Sequence, residues 1–311
     1  MIQIEKSQSR PQRFNQPPAG IKAMNYFKIM AFTLVLLAYG VNSMANPVET
    51  ENSLVWKIEG KNIQTSYIFG TFHLISENDF HLSESVKNAL QSTDRLILEL
   101  DMDDPGLQQA MMQHMQMPAG TTLDKLLDKE AYAAVDSVLK ATAGAGLQMM
   151  NTFKPFVVAS MLIGTYIEGN VTSYEMVLMQ MAKNDNKEVL GIETVEEQMT
   201  IFDSIPYQQQ ADDLAEMVLE REKSEKLFAK MIKLYKDEDF EGLYDMMEEY
   251  YETDYELRLL LDKRNQLWQK RLPEMIREKS AFIAVGAGHM GGENGIIPLL
   301  KKAGYKVTPV N

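Results

Sequence analysis

The sequence predicts an α/β (α+β) fold: a mixed central sheet built from the N- and C-terminal parts of the chain, with a large helical middle region at 105–278. Three observations carry this. Short, bulky apolar runs without polar alternation stand near both ends, within 65–73 and 281–292, and such runs read as strands buried on both faces. Between them, apolar residues recur at three- and four-residue spacing, the period of helices that bury one face. At the C-terminus a strand, a helix and a strand follow one another with short links, the form of a right-handed crossover unit.

Taken in order, residues 54–58 and 67–69 flank Glu59-Gly60-Lys61-Asn62 and predict a hairpin. Ser83 is the expected N-cap of a helix reaching Gln91. Residues 95–100, RLILEL, predict a second core strand, with Glu99 embedded near its end. Helices are expected over 108–117, 129–143 and 155–167, the last apolar throughout and therefore buried. Residues 187–192, KEVLGI, read as another short strand ending in Glu193-Thr194, where Thr194 caps the helix begun by Glu196, Glu197 and Gln198. Charged helices are expected next, over 214–234, 240–251 and 255–276. A last strand pair, 282–285 and 305–310, brackets a helix over 295–303 that Gly304 stops.

Residues 1–45 predict an upstream extension and a signal peptide, leaving one domain over 46–311. Met24 reads as the initiator, since residues 1–23 are polar and proline-bearing; Lys28 and the 29–41 apolar run then form the signal peptide, and Ser43 and Ala45 fit the small-residue rule for cleavage near Ala45/Asn46. The apolar run is shorter than the ~20 residues that span a bilayer, so no stable membrane anchor is expected after its removal. Export is the expectation, to the periplasm if the source is Gram-negative and otherwise as a secreted protein. Cysteine is absent, which removes disulfides, a thiol nucleophile and a lipoprotein anchor. A formal charge of -13 and a pI of about 4.9 speak against nucleic acid as a partner, because a phosphate footprint is basic.

The chain has four histidines, and two of them end the same phrase: a strand running into Gly70-x-x-His73 and into Gly286-x-x-His289. Each therefore sits just past the C-terminal end of a strand, where open α/β sheets place their ligands. Two neutral imidazoles on such turns suit a divalent metal. The alternative for each is a bond to backbone at a strand end. Their separation in sequence gives no zinc signature, so only the fold can bring them together. Glu99 would supply a third, oxygen ligand, and a metal there would acidify bound water. Its alternative is an ion pair with a lysine or arginine inside the fold. Glu193 is the next candidate, as ligand or general base, against an alternative as a cap for the succeeding helix. His114, in MMQHMQM, reads as helix packing rather than a Cu(I) site, and His81 as surface.

Several stretches together resemble the TraB/GumN family, which includes the Tiki proteases: YIFGTFHL at 67–74, LILELD at 96–101, MPAGTTLDKLL at 117–127, GIETVEEQ at 191–198, RNQLW at 264–268 and VGAGHMGGENGIIPLLKKAGYKVTPV at 285–310. The resemblance covers nearly all of 46–311. It implies a metal-dependent protease whose site uses His73, His289, Glu99, Arg264 and Asn265, and it favours Mn²⁺ or Co²⁺, with Zn²⁺ chemically suitable. Arg264 would hold a substrate carboxylate or a developing oxyanion and Asn265 would donate a hydrogen bond. The alternative for Arg264, beside Asp262 and Lys263, is a solvated helix face. The expected function is an exported metal-dependent hydrolase acting on a peptide or protein substrate. Other readings are a non-catalytic metal or small-ligand binder, and an interaction protein acting through the acidic helices of 206–278.

Overall fold

The computed structural model describes residues 52–250 and 257–310. The upstream extension, the signal peptide and its cleavage point lie outside the described residues, as do positions 251–256, which include the start of the expected helix over 255–276. The strands are β1 (Val55–Glu59), β2 (Ser66–Thr71), β3 (Ile75–Ser76), β4 (Arg95–Leu100), β5 (Val171–Thr172), β6 (Glu188–Glu193), β7 (Ala281–Gly286) and β8 (Lys306–Pro309). Six form one mixed sheet in the order β6-β4-β7-β2-β1-β8, and β3 and β5 form a separate two-stranded sheet that the sequence did not announce.

β7 lies near the middle, and every side chain from Ala281 to Val285 is fully buried. Its unbroken apolar run has no polar face to offer water, so only a position flanked on both sides satisfies it. The hairpin is present, with β1 antiparallel to β2 and Val55 opposite Phe69. β2, β7, β4 and β6 run parallel to one another. β8 pairs with β1 at the far edge rather than with β7, so the C-terminal strand-helix-strand unit passes over two intervening strands. The strands at 282–285 and 305–310 are thus members of one sheet but not neighbours. β6, from within the helical middle, completes the opposite edge.

The helices obey their local signals closely. Lys129–Ala143 is capped by Asp128, whose carboxylate accepts from the Ala131 amide, and it ends where Gly144 turns left-handed at φ 67°. Val195–Asp203 opens with a full capping box, Thr194 and Glu197 each accepting from the other's backbone amide. The helix expected over 155–167 is α only as Pro155–Leu162, then tightens to a 3₁₀ turn. The single helix expected over 214–234 is two, Tyr207–Leu219 and Arg221–Lys236. The chain breaks at Glu220, where Ser224 Oγ bonds the Met217 carbonyl. The apolar stripe continues across that break, so periodicity alone does not register it. In the methionine-rich stretch, Met117 is buried, whereas Met111 and Met112 are exposed; packing accounts for only part of that run. Among the described residues, no helix is long and apolar enough to cross a membrane.

Candidate functional site

Four parallel strands place the candidate residues along one rim of the sheet. Glu193 ends β6, Glu99 stands one residue from the end of β4, His289 comes after β7 at the close of a 3₁₀ turn, and His73 lies just past β2. The pairing of β2 with β7 sets Gly70 beside Val285 and Thr71 beside Gly286, so the two G-x-x-H turns leave the sheet side by side. A sheet-end cluster of this kind is where open parallel sheets bind ligands. The glycines permit it by size. A Cβ on Gly70 would fall 2.3 Å from Met290 Sδ and 3.1 Å from Ala287 Cα, and one on Gly286 would fall 3.2 Å from His73 Nε2 and 3.5 Å from Glu99 Oε1. Both imidazoles therefore gather around one carboxylate, His289 Nε2 lying 3.9 Å from Glu99 Oε1.

Arg264 lies at the centre, buried rather than on a solvated face. It stands at the second position of the helix Lys263–Met275, directly after a π turn over Arg258–Asp262. A π turn packs an extra residue into one turn and shifts the phase of the helix beyond it; such turns recur at functional sites. The guanidinium donates from Nε and Nη2 to Glu193 at 2.7–3.1 Å, and from Nη2 to Glu99 Oε2 at 2.5 Å. Its Nη1 lies 3.1 Å from His289 Nε2. Since arginine can only donate, that imidazole nitrogen accepts, and the proton sits on Nδ1, 2.8 Å from Asn265 Oδ1. Asn265 is oriented by its amide, which donates to the carbonyls of His289 and Asn294. Gln198 adds donors to both carboxylates.

Glu99 thus takes the ion-pair alternative. Glu193 does not cap the helix after it, a task that falls to Thr194 and Glu197.

The electrostatics come from this arrangement. Burial alone would raise the Glu99 carboxyl, but the Arg264 charge, with His73 and the Gly286 amide, holds it well below the usual carboxylate range. Burial lowers Arg264, and its two carboxylates more than offset that, so it stays charged. His289 is driven well below its ordinary value, by burial first and then by Arg264, and is neutral.

His73 behaves oppositely because of a residue that sequence reasoning missed. Glu175 Oε1 lies 2.8 Å from His73 Nδ1, and the carboxylate is fixed by Thr71 Oγ1 at 2.5 Å and Ser173 Oγ at 2.7 Å. Burial lowers the His73 imidazole, but the charge and hydrogen bond of Glu175 override it and raise it to about 9. Glu175 itself, despite burial, is held down to about 2 by His73. The ring keeps 40% of its surface open to the cleft, so water screens part of that field. The one hint of Glu175 in the sequence is an acid two residues after a Ser cap, which describes many helix starts.

Both imidazoles therefore have Nδ1 tied to an oxygen acceptor, the arrangement that orients metal-ligating histidines. In kind, the donors suit a divalent ion. In arrangement they do not. Arg264 takes His289 Nε2 and Glu99 Oε2, and among the described residues no three His, Asp or Glu side chains are grouped to hold an ion. Beside this cluster opens a cavity of about 230 Å³, with His73, Arg264, Gly286 and His289 at one end and apolar side chains along the rest.

The model of the TraB/PrgY/gumN family matches residues 54–309. Among curated proteins, the chain is similar to the Metalloprotease TIKI1 of Danio rerio, 23% identical over 84% of this chain and 64% of that protein. It is similar also to the proteins of the same name from Xenopus tropicalis, at 25% over 89% and 67%, and Homo sapiens, at 24% over 86% and 64%. The alignments thus span about two thirds of those relatives' length. No solved structure matches the chain significantly.

Proposed function

That the chain belongs to the TraB/PrgY/gumN family is the premise from which we propose that it is an exported hydrolase cleaving peptide bonds in the cleft at the sheet rim. The relatives' name, metalloprotease, supports the reaction class. The observation that carries the proposal is the meeting of both G-x-x-H imidazoles around Glu99, each held through Nδ1, at the polar end of a cavity.

In this reading Glu175 fixes the His73 ring and keeps it protonated at neutral pH, so His73 supplies the proton that a departing amine nitrogen needs. Arg264 and the Gly286 amide hold Glu99 ionised and immobile. Asn265 fixes the tautomer and plane of His289. The Mn²⁺, Co²⁺ or Zn²⁺ expected from the sequence would take His73, His289 and Glu99 only after Arg264 released His289 Nε2 and His73 gave up its Nε2 proton, in which case His73 would no longer be the acid. Residues 24–45 serve as the leader for export in the same proposal.

The test is turnover of an internally quenched peptide library by purified protein, with chelator and with each of the three ions added separately. Cleavage in any arm that is lost in His73→Ala supports the proposal; no cleavage in all four arms, with a folded protein, overturns it. A second reading, a binder without turnover, is favoured by the hold of Arg264 on His289. It predicts saturable ligand binding in the cleft with no product in any arm.

A further inference from the structure

The cavity is chemically two-sided. At one end stand His73, Arg264 and His289; the remaining wall is apolar, built by Phe72, Ile163, Phe228, Met231, Leu243 and Met247 among others. These come from separate elements: the turn after β2, the 3₁₀ turn after Pro155–Leu162, and the helices Arg221–Lys236 and Phe240–Tyr250. Phe228, Met231, Leu243 and Met247 are buried, yet they face empty space of about 230 Å³. Ligand sites are concave and mostly apolar with a few polar groups at one place, so a cleft of this size with this wall is a space for an occupant. The polar groups of its lining already have partners: Arg264 is bound to two carboxylates and His73 to Glu175. A charged group entering the apolar part would meet no counter-charge on that wall and would lose its hydration.

We propose that this cavity is the specificity pocket of the site and accepts one bulky apolar side chain of a peptide, of the size of phenylalanine, leucine or methionine, adjacent to the bond to be cleaved. The inference rests on the hydrolase reading for the position of that bond. The adjacency comes from continuity: the apolar wall and His73 line one cavity, so a side chain filling the wall brings its own backbone toward the polar residues. Two methionines among the lining residues, Met231 and Met247, give the wall enough adaptability to take aromatic and aliphatic shapes alike. Ser160 stands exposed at the pocket's edge, on the helix Pro155–Leu162, and is the position from which the entrance can be narrowed without disturbing the core.

The experiment compares quenched peptides of one scaffold that carry Phe, Leu, Met, Ala, Gly or Asp beside the scissile bond, using the full chain and Ser160→Trp. The expected kcat/KM for Phe, Leu and Met exceeds that for Gly and Asp by about 100-fold, the scale on which apolar pockets discriminate. Ser160→Trp is expected to cut the preference for the bulky substrates over the Ala peptide about 10-fold or more, with the thermal midpoint unchanged. Turnover without side-chain preference overturns the pocket assignment and leaves the hydrolase standing. Where no peptide is cleaved, chemical-shift titration with N-acetyl-phenylalanine amide against N-acetyl-glycine amide separates the two. Binding of the first alone, lost in Ser160→Trp, supports the pocket and removes the hydrolase; binding of neither overturns the pocket. Cleavage of a p-nitrophenyl octanoate ester with no peptide turned over assigns the wall to an acyl chain and also overturns it.

Discussion

Replacing Arg264 with methionine removes one cation that serves two buried carboxylates. The side chains of Arg264, Glu193 and Glu99 are 5%, 1% and 12% exposed, so water cannot take over the guanidinium's role. Breaking a buried pair from one side costs about 3–5 kcal/mol, because the remaining charge is stranded. Here two carboxylates are stranded, and His289 Nε2 loses its donor as well. At ~2–4 °C per kcal/mol for a chain of this size, the thermal midpoint of Arg264→Met should fall by about 10 °C at neutral pH.

The loss has a definite pH signature. Glu99 is depressed in the folded wild type, so its contribution is present above the ordinary value of 4.5 and is lost as pH falls through the folded value. Without Arg264, burial dominates and the folded carboxyl rises above its unfolded value, so acid now favours the folded state. The gap between variant and wild type should therefore be widest near pH ~7 and shrink toward pH ~4. Calorimetry or urea melts at about pH 4.5, 5.5 and 7 would measure it. A midpoint within about 2 °C of wild type at neutral pH, or a gap that does not change with pH, would refute the buried three-charge cluster.

Glu175→Gln should drop the His73 imidazole from about 9 toward its ordinary 6.5, because the carboxylate charge beside it is gone; ring-proton NMR titration reads this directly, and an unchanged value would contradict the pairing. The same variant should be less stable than wild type below pH ~6.5, with the deficit shrinking as pH rises through about 9, since a raised histidine stabilises fully below its unfolded pKa and ceases to do so above the folded one. Gly70→Ala should cost about 1–3 kcal/mol in urea unfolding, since the new methyl meets Met290 Sδ and the Ala287 backbone; a neutral result would show that the two turns do not abut.

Much of this site was legible in the amino-acid order alone. Glu99, Glu193, His73 and His289 could each be assigned to a strand end because bulky apolar runs mark where buried strands stop, and parallel strands share a rim. What could not be read was which side chains turn inward from helices. Asp262-Lys263-Arg264 looks like a solvated face, but a π turn over Arg258–Asp262, invisible to a 3.6-residue period, shifts the helix phase just before Arg264 and Asn265, and both are buried. Glu175 carries no motif at all; its role comes from β2 passing beside the start of the helix Tyr174–Asn184. The helix break at Glu220 and the β8–β1 pairing were hidden for a related reason. Apolar spacing reports which face is buried, not where the chain bends or which strand it meets.

The most direct test of the central claim is peptide hydrolysis by wild type, His73→Ala and the His73→Ala/His289→Ala double variant, each checked by circular dichroism. His289 is 3% exposed and bonded to both Arg264 and Asn265, so its removal needs that control; the more open His73 is the cleaner probe. A single active centre at the rim predicts cleavage by wild type and a fall of at least about 100-fold in both folded variants, at the low end of what one acid-base group supplies. Cleavage by the folded double variant at the wild-type rate would place the chemistry elsewhere in the chain.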